Sequence, residues 1–470
     1  MNNLLVMKFG GTSMGSAERI RTAARIAAEQ HAQRPVVCVV SAMSKVTDLL
    51  LDCMRRAEGG YEANLEADIV TLRQRHLQAM EELLPEPDRE PVRAEIERLI
   101  SDFERIARGI LMLGVRPPRS LDEAVATGER LSALLMAAYL RTQGIASRDV
   151  NAAEVVVTDA VFGAASPLME QTAQKAEQVL RPMLEAKTLP VVTGFNGATT
   201  DGRPTTLGRG GSDFSASILA AALNAQELWI WTDVDGIMSA DPLVVTGARV
   251  LDEVTYAEAA ELAYNGAKVL HPRTLAPLVE RKIPVWSKNS FALDKPGTKI
   301  VPEIHDKLGP RAVTSMAKVA LVSLESESAQ LSGTRLMARA VGALGRCNAE
   351  VLALTCSSYR QSFCFLIRQD ELDMVVEHLE EDLNIELAHG YVRPIEVDLN
   401  VGLLAVVGEG MRCTPGLAGR IFTAISRDNI NIIAIAQGSS ELTIAVVVRR
   451  DGLEAAVRAV HRECGMSVED

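Results

Sequence analysis

The sequence predicts an α/β fold: a mostly parallel sheet sandwiched by helices, followed by two small β-α-β-β-α-β units. Three observations carry that reading. Short apolar runs recur, each passing through a glycine-rich or polar loop into a segment of helical period; LLVMKFGG, PVVCVVSAM, LPVVTGFNG, ELWIWTDVDG and KIPVWSKNS are the clearest. Such alternation is the mark of a parallel sheet covered on both faces. Beyond KPGTKIVPEI, two stretches beginning at Val319 and Val401 align without gaps, 82 residues apart, and an internal duplication is the simplest account. Finally, 470 residues with 47% hydrophobic content exceed one core and suffice for several. The expected domains are residues 1–300, 301–398 and 399–470.

Bulk properties exclude several function classes. A net charge of −12 argues against nucleic acid, because phosphate neutralisation needs a clustered basic face. Small anionic substrates need only one or two local cations and stay open. The seven cysteines form no CxxC pair and sit in apolar contexts, as buried thiols of a cytoplasmic protein would. The opening MNNLLVMKFGG is too short in its apolar part for a signal peptide, and no apolar run nears membrane-spanning length, so no membrane partner is expected. Seven scattered histidines without HExxH give no metal-ligand spacing, and no protein-held metal is expected.

Taken in order, the first element is a strand ending in KFGGTS, with a helix expected near Ser16. Backbone N–H groups of Gly10, Gly11, Thr12 and Ser13 at a helix start suit a phosphate, and Lys8 adds a cation. It is not a P-loop, since GxxxxGK[ST] is missing. Residues 61–112 read as amphipathic helices interrupted by the three prolines of LPEPDREP. The next helix is expected to open at Ser120 with Glu123 in capping-box spacing. In TTLGRGGSD, three glycines (Gly208, Gly210, Gly211) bring backbone close to a ligand, and Arg209 can clamp a carboxylate or phosphate with its fork. Ser212 can donate a hydrogen bond, and Asp213 makes sense if it orients a lysine or faces a magnesium-shielded phosphate. Thr232, Asp233 and Asp235 of WTDVDGIMSADP can hold a ribose, a base edge or a metal. GEGMRC near Gly408 only imitates a dinucleotide fingerprint, with Cys413 where the third glycine belongs.

KFGGTS, VVSAMSKVTD, ATGERLSA, TTLGRGGSD, IWTDVDGI and NGAKVLHPRT occur in the order and approximate spacing of an aspartokinase of the amino-acid kinase family, which the chain resembles over essentially its whole length. The resemblance implies transfer of the γ-phosphoryl group of ATP, with Mg²⁺, to the side-chain carboxylate of L-aspartate. The product would be 4-phospho-L-aspartate, for lysine, threonine and methionine synthesis. It implies that Lys8 sits on the transferring phosphoryl group and that Asp213 orients it. Ser41, Thr47 and Ser212 would bind substrate, Glu129 its α-ammonium and Arg209 its α-carboxylate. Thr232, Asp233, Lys268 and Val269 would join the glycine turn around the nucleotide. Leu243 stands where family members often carry a basic residue, a departure from the pattern. The duplicated tail resembles paired ACT domains of ferredoxin-like topology that bind amino-acid effectors. Gln437, Ser357 and Ser358 are the candidate effector contacts, for threonine and/or lysine. Gapless alignment sets Gln437 opposite Thr355 of the first copy. A homodimer or larger assembly is expected, and no segment remains for a fused homoserine dehydrogenase. Two alternatives stay open: a kinase for glutamate, carbamate or a nucleotide, and a catalytically dead amino-acid sensor.

Overall fold

The computed structural model describes residues 3–267, 270–304, 308–327, 331–347, 349–357, 362–411, 414–438 and 442–466. The chain opens with β1 (Leu5–Phe9), α1 (Ala17–His31), β2 (Val36–Val40) and α2 (Val46–Glu58). Ser16 caps α1, its hydroxyl accepting from the Arg19 N–H at 3.3 Å, as the sequence predicts. A helical excursion follows: α3 (Glu62–Leu83), α4 (Glu86–Leu113), α5 (Pro118–Val125) and α6 (Thr127–Thr142). Two expectations fail here. Only Pro85 interrupts the helices; Pro87 lies in the first turn of α4, where a missing N–H costs no intrahelical bond, and Pro91 lies further inside α4, which runs on through it. Ser120 is not a cap either, because Pro118 occupies the first turn of α5 and starts it earlier.

Then come β3 (Ser147–Val150), β4 (Val157–Thr158), α7 (Met169–Glu185), β5 (Leu189–Thr193), β6 (Asn196–Thr199), β7 (Pro204–Thr206), α8 (Gly211–Ala222) and β8 (Glu227–Thr232). β9 (Glu253–Thr255), α9 (Tyr256–Tyr264), α10 (Pro272–Val279), β10 (Val285–Asn289) and β11 (Thr298–Val301) complete this part. The main sheet has eight strands in the order β3-β5-β2-β1-β8-β10-β11-β9. Neighbours run parallel except β10 and β11. Every residue of β1, β2 and β5 is buried, which explains their unbroken apolar runs. Chain order reverses around β1, between β2 and β8, and such crevices at the carboxyl ends of strands are where α/β sheets bind ligands.

The tail comprises β12 (Ala312–Met316), β13 (Val319–Glu325), α11 (Gly333–Arg346), β14 (Ala353–Ser357), β15 (Ser362–Arg368), α12 (Leu372–Asp382), α13 (Asn384–Ala388) and β16 (Glu396–Asp398), then β17 (Val401–Val407), α14 (Leu417–Arg427), β18 (Ile432–Gln437), β19 (Thr443–Arg449) and α15 (Leu453–Glu463). The first copy is a β-α-β-β-α-β unit with sheet order β14-β15-β13-β16. The second takes its fourth strand from upstream: its order is β12-β17-β19-β18, with β12 antiparallel to β17.

Compactness divides the chain into two units that do not follow chain order. One holds Met1–Ile237, Asp252–Tyr256 and Leu270–Glu303; the other holds Met238–Leu251, Ala257–Val269 and Ile304–Asp470. In the second unit, Ala240 and Val245 share a core with Leu404, Val406 and Val457. Ser239 donates its N–H to the Arg249 carbonyl (2.8 Å), accepts from the Val313 N–H (2.8 Å) and pairs its hydroxyl with His461 Nε2 (2.9 Å). On α9, buried Glu258 accepts from Arg311 and from the Glu409 N–H, and Glu261 accepts from the Thr443 hydroxyl at 2.7 Å.

Candidate active site

Lys8 enters from β1, whose backbone is fixed on both sides by β2 and β8. Its ammonium lies 2.5 Å from Asp213 Oδ1, the pair largely shielded from solvent. Asp213 belongs to the first turn of α8. The structure therefore brings these two predicted residues together. It needs the tight GRGGSD turn: Gly211 packs so closely on Phe195 that a Cβ would come within 2.5 Å of its ring.

These side chains line one open cleft of about 670 Å³, together with Gly11, Ser41, Thr47, Glu129, Gly208, Arg209, Gly210 and Ser212. Ser41 sits just past β2, where its N–H bonds the Phe9 carbonyl (3.1 Å), so the ends of β1 and β2 are level. Thr47 is in the first turn of α2. Lys45 adds a further cation to the lining, at a left-handed backbone position (φ 63°). Glu129 is the least ordinary group: it is only 2% exposed, and its Oε2 has no partner among the described residues. Burial pushes its carboxyl up to about 8, against hydrogen bonds from the Ala42 and Glu129 N–H groups and the charge of Lys8. A buried carboxyl with one oxygen unused at a cleft can receive a cation once it gives up its proton. Arg209, exposed in the same cleft, is a receptor for an anion. Together they suit the two charges of a free amino acid.

The remaining predicted residues lie elsewhere. Gly10 gives its N–H to the Trp231 carbonyl (3.1 Å), while the Ser13 hydroxyl pairs with Ser290 (2.8 Å). Gly10, Thr12 and Ser13 do not line the cleft, and Ser13 is committed to joining the turn to the strand end beyond β10. Thr232 and Asp233 end β8, the Thr232 hydroxyl donating to Asp233 at 3.2 Å. Asn289 donates to Asp235 at 2.6 Å and steadies that loop. Leu243 is 87% exposed. Lys268, Val269 and Ser358 lie outside the described residues. Ser357 lines a cavity of about 310 Å³ on the first copy's sheet with Thr355 and Arg393. The register corrects one alignment. Gln437 pairs with Ile444, and Cys356 pairs with Phe363, each opposite the second residue of its partner strand. Gln437 thus corresponds to Cys356 rather than Thr355: the first strands match at 82 residues, but the helices bury Leu336 and Ala340 in one copy and Leu417 and Ile421 in the other, 81 apart, so the loop before the second copy's helix is one residue shorter.

Two residues escaped the sequence reading. Asp122, 1% exposed, accepts from the Thr206 hydroxyl (2.7 Å) and from the N–H groups of Thr206 and Gly163 (2.9 Å each). Arg273 donates to the carbonyls of Leu207 (3.2 Å) and Ala165 (2.9 Å). The only signal was position: Asp122 precedes ATGERLSA, and Arg273 closes NGAKVLHPRT. Among the described residues, no three His, Cys, Asp or Glu gather as a cation cage, and no helix is long and apolar enough to cross a membrane.

This cleft at the carboxyl ends of a parallel sheet, with a lysine–aspartate pair and receptors for both charges of an amino acid, agrees with the family comparison. The profile of the amino acid kinase family matches residues 3–289, and an ACT domain profile matches 404–464; the chain belongs to the amino acid kinase family and carries an ACT domain at its C-terminal end. Within that family its likeness is to aspartokinases. It is 36% identical to the bifunctional aspartokinase/homoserine dehydrogenase 1 of Arabidopsis thaliana over 97% of this chain and 50% of that protein. The chain thus spans about half the length of the first curated relatives it matches. The E. coli aspartokinase III structure with aspartate and ADP superposes with a TM-score of 0.85 at 31% identity, covering 98% of this chain and 99% of that one. The same enzyme with lysine and aspartate gives 0.81 at 32% identity, over 98% and 99%.

Proposed function

We propose that the chain transfers the γ-phosphoryl group of ATP to the side-chain carboxylate of L-aspartate, giving 4-phospho-L-aspartate under feedback control by an end-product amino acid. The observation that carries this is the buried, half-partnered carboxyl of Glu129 in one cleft with Arg209 and the Lys8–Asp213 pair. The relatives named above support it, since that E. coli enzyme is known with aspartate and ADP, and with lysine.

Glu129 takes the α-ammonium, Arg209 the α-carboxylate, and Ser41, Thr47 and Ser212 donate to substrate oxygens. The acceptor carboxylate is already ionised at neutral pH, so no strong general base is needed. The task is to bring two anions together, and a fixed cation does most of it. Lys8 is that cation, and Asp213 holds its ammonium in place. Gly11 borders the phosphates from within the cleft, Gly10, Thr12 and Ser13 shape the turn that presents it, and Thr232, Asp233, Lys268 and Val269 border the rest of the nucleotide. The cleft carboxylates Asp48, Glu129 and Asp213 form no cation cage, a donor set that fits Mg²⁺ carried by the phosphates. That ion neutralises phosphate charge when bound.

The test is ATP turnover with L-aspartate, L-glutamate and N-acetyl-L-aspartate, trapping any acyl phosphate with hydroxylamine. Hydroxamate is expected with L-aspartate alone. Turnover with the N-acetyl compound equal to aspartate would remove Glu129 from its role. For control, lysine and threonine are titrated against wild type and Gln437→Ala. Absence of any effect on wild type would end the regulatory reading of residues 319–470.

A further inference from the structure

Two loops meet beside the cleft. The Ala165 N–H bonds the Thr206 carbonyl (2.9 Å), and Gly208, at φ 74°, approaches the Gly163 carbonyl so closely that a Cβ would lie 3.1 Å from it. Asp122 and Arg273 add the polar grip. The Asp122 carboxylate takes N–H donors from both loops, Gly163 on one and Thr206 on the other. The Arg273 guanidinium takes carbonyls from both, Ala165 and Leu207. One residue supplies only acceptors and the other only donors, so they do not compete for the same backbone groups.

Their placement in the chain gives this a consequence for the site. Asp122 is on α5, which runs through Ala126 into α6 and Glu129. Thr206 and Leu207 directly precede Gly208 and Arg209. We propose that Asp122 and Arg273 are positioning residues that clamp the two loops and so fix the span between Glu129 and Arg209, which sets the affinity for the amino-acid head group. This rests on the function proposed above. It touches neither the phosphoryl cation nor the nucleotide, so its effect falls on aspartate KM rather than on kcat or ATP KM.

The chemistry predicts an asymmetry between substitutions. Asp122→Asn keeps one oxygen for the two N–H donors, while its new amide donates to the Thr206 hydroxyl, which turns to accept. Asp122→Ala keeps neither contact. The experiment is steady-state kinetics for both substrates, with aspartate binding by calorimetry, on wild type, Asp122→Asn, Asp122→Ala, Arg273→Ala and the double alanine variant. Asp122→Ala and Arg273→Ala should each raise aspartate KM by about tenfold or more, since small misplacements are costly in a preorganised site. ATP KM should stay within about twofold, Asp122→Asn should lie near wild type, and the double variant should fall short of the product of the singles because both act on one clamp. Aspartate KM unchanged in a folded Asp122→Ala or Arg273→Ala protein overturns the proposal. So does an equal rise in ATP KM, or an Asn variant as damaged as the Ala variant. If Asp122→Ala does not fold, Arg273→Ala and Asp122→Asn decide by the same criteria. A wild type that does not phosphorylate aspartate instead refutes the proposed function, and is seen before any variant is compared.

Discussion

If Glu129 receives the substrate ammonium, aspartate binding must be linked to proton release, and its size follows from the geometry. The carboxyl is pushed up to about 8 by burial, and one oxygen has no partner among the described residues. At pH 7 only about one molecule in eleven then carries the charge an ammonium needs. Apparent aspartate affinity is reduced by a factor of about 100 at pH 6, about 11 at pH 7 and about 2 at pH 8. The dissociation constant should therefore fall about ninefold from pH 6 to 7 and about fivefold from pH 7 to 8. Calorimetry in two buffers of different ionisation enthalpy should report close to one proton released per aspartate at pH 7. Glu129→Gln should weaken binding and flatten the profile. A wild-type dissociation constant that is level from pH 6 to 8, with heats independent of buffer, would refute the reasoning. The same group acts on stability with a definite sign. The folded protein holds this proton from about 4.5, the ordinary carboxyl value, up to about 8, so stability falls as pH rises through that window. Glu129→Gln should thus be more resistant to urea than wild type at pH 8, by on the order of a few kcal/mol.

Three further outcomes are expected. Lys8→Ala should lower kcat by roughly 10² to 10³ with a smaller change in aspartate KM; turnover within a few-fold of wild type in a folded protein would remove Lys8 from the phosphoryl group. Arg209→Lys keeps the charge but loses the fork, and should weaken aspartate binding by about 1 to 3 kcal/mol while ATP binding holds; calorimetry showing the reverse would assign Arg209 to the nucleotide. His76 is buried on α3, its Nε2 has no partner among the described residues, and burial draws its imidazole down from 6.5 to about 4. The unfolded chain then binds the extra proton, so stability is full above about 6.5 and is lost towards pH 4, by about 3 kcal/mol in all; His76→Leu should remove that slope, and an unchanged urea midpoint profile would contradict it.

Much of the site was legible because it is written in contiguous residues. KFGGTS and GRGGSD each hold their glycines and cation within a few positions, and β1, which carries the first, is buried on both faces and so unbroken in sequence. The missing parts depend on distance along the chain. Asp122 reaches Thr206 across 84 residues, and its partners are mostly backbone groups, which every residue has. Arg273 likewise bonds carbonyls, leaving no complementary residue type to find. The pairing of β12 with the second copy could not be read from the duplication, because β12 lies outside the repeated stretch. The Gln437 register slipped for a related reason: a loop one residue shorter before α14 is invisible to an alignment made without gaps.

The division of the chain has a bearing on where it can be cut. The backbone passes from one compact unit to the other five times, at 237/238, 251/252, 256/257, 269/270 and 303/304. A stop codon near position 300 would therefore leave two segments of the second unit without the rest of it. It would strip Ala240 and Val245 of the neighbours they share a core with, leave Ser239 without His461, and strand the buried carboxylate of Glu258 without Arg311. Residues 238–251 and 257–269 are thus built to be covered by chain that lies beyond position 303, and a shortened chain would expose their apolar side chains to water.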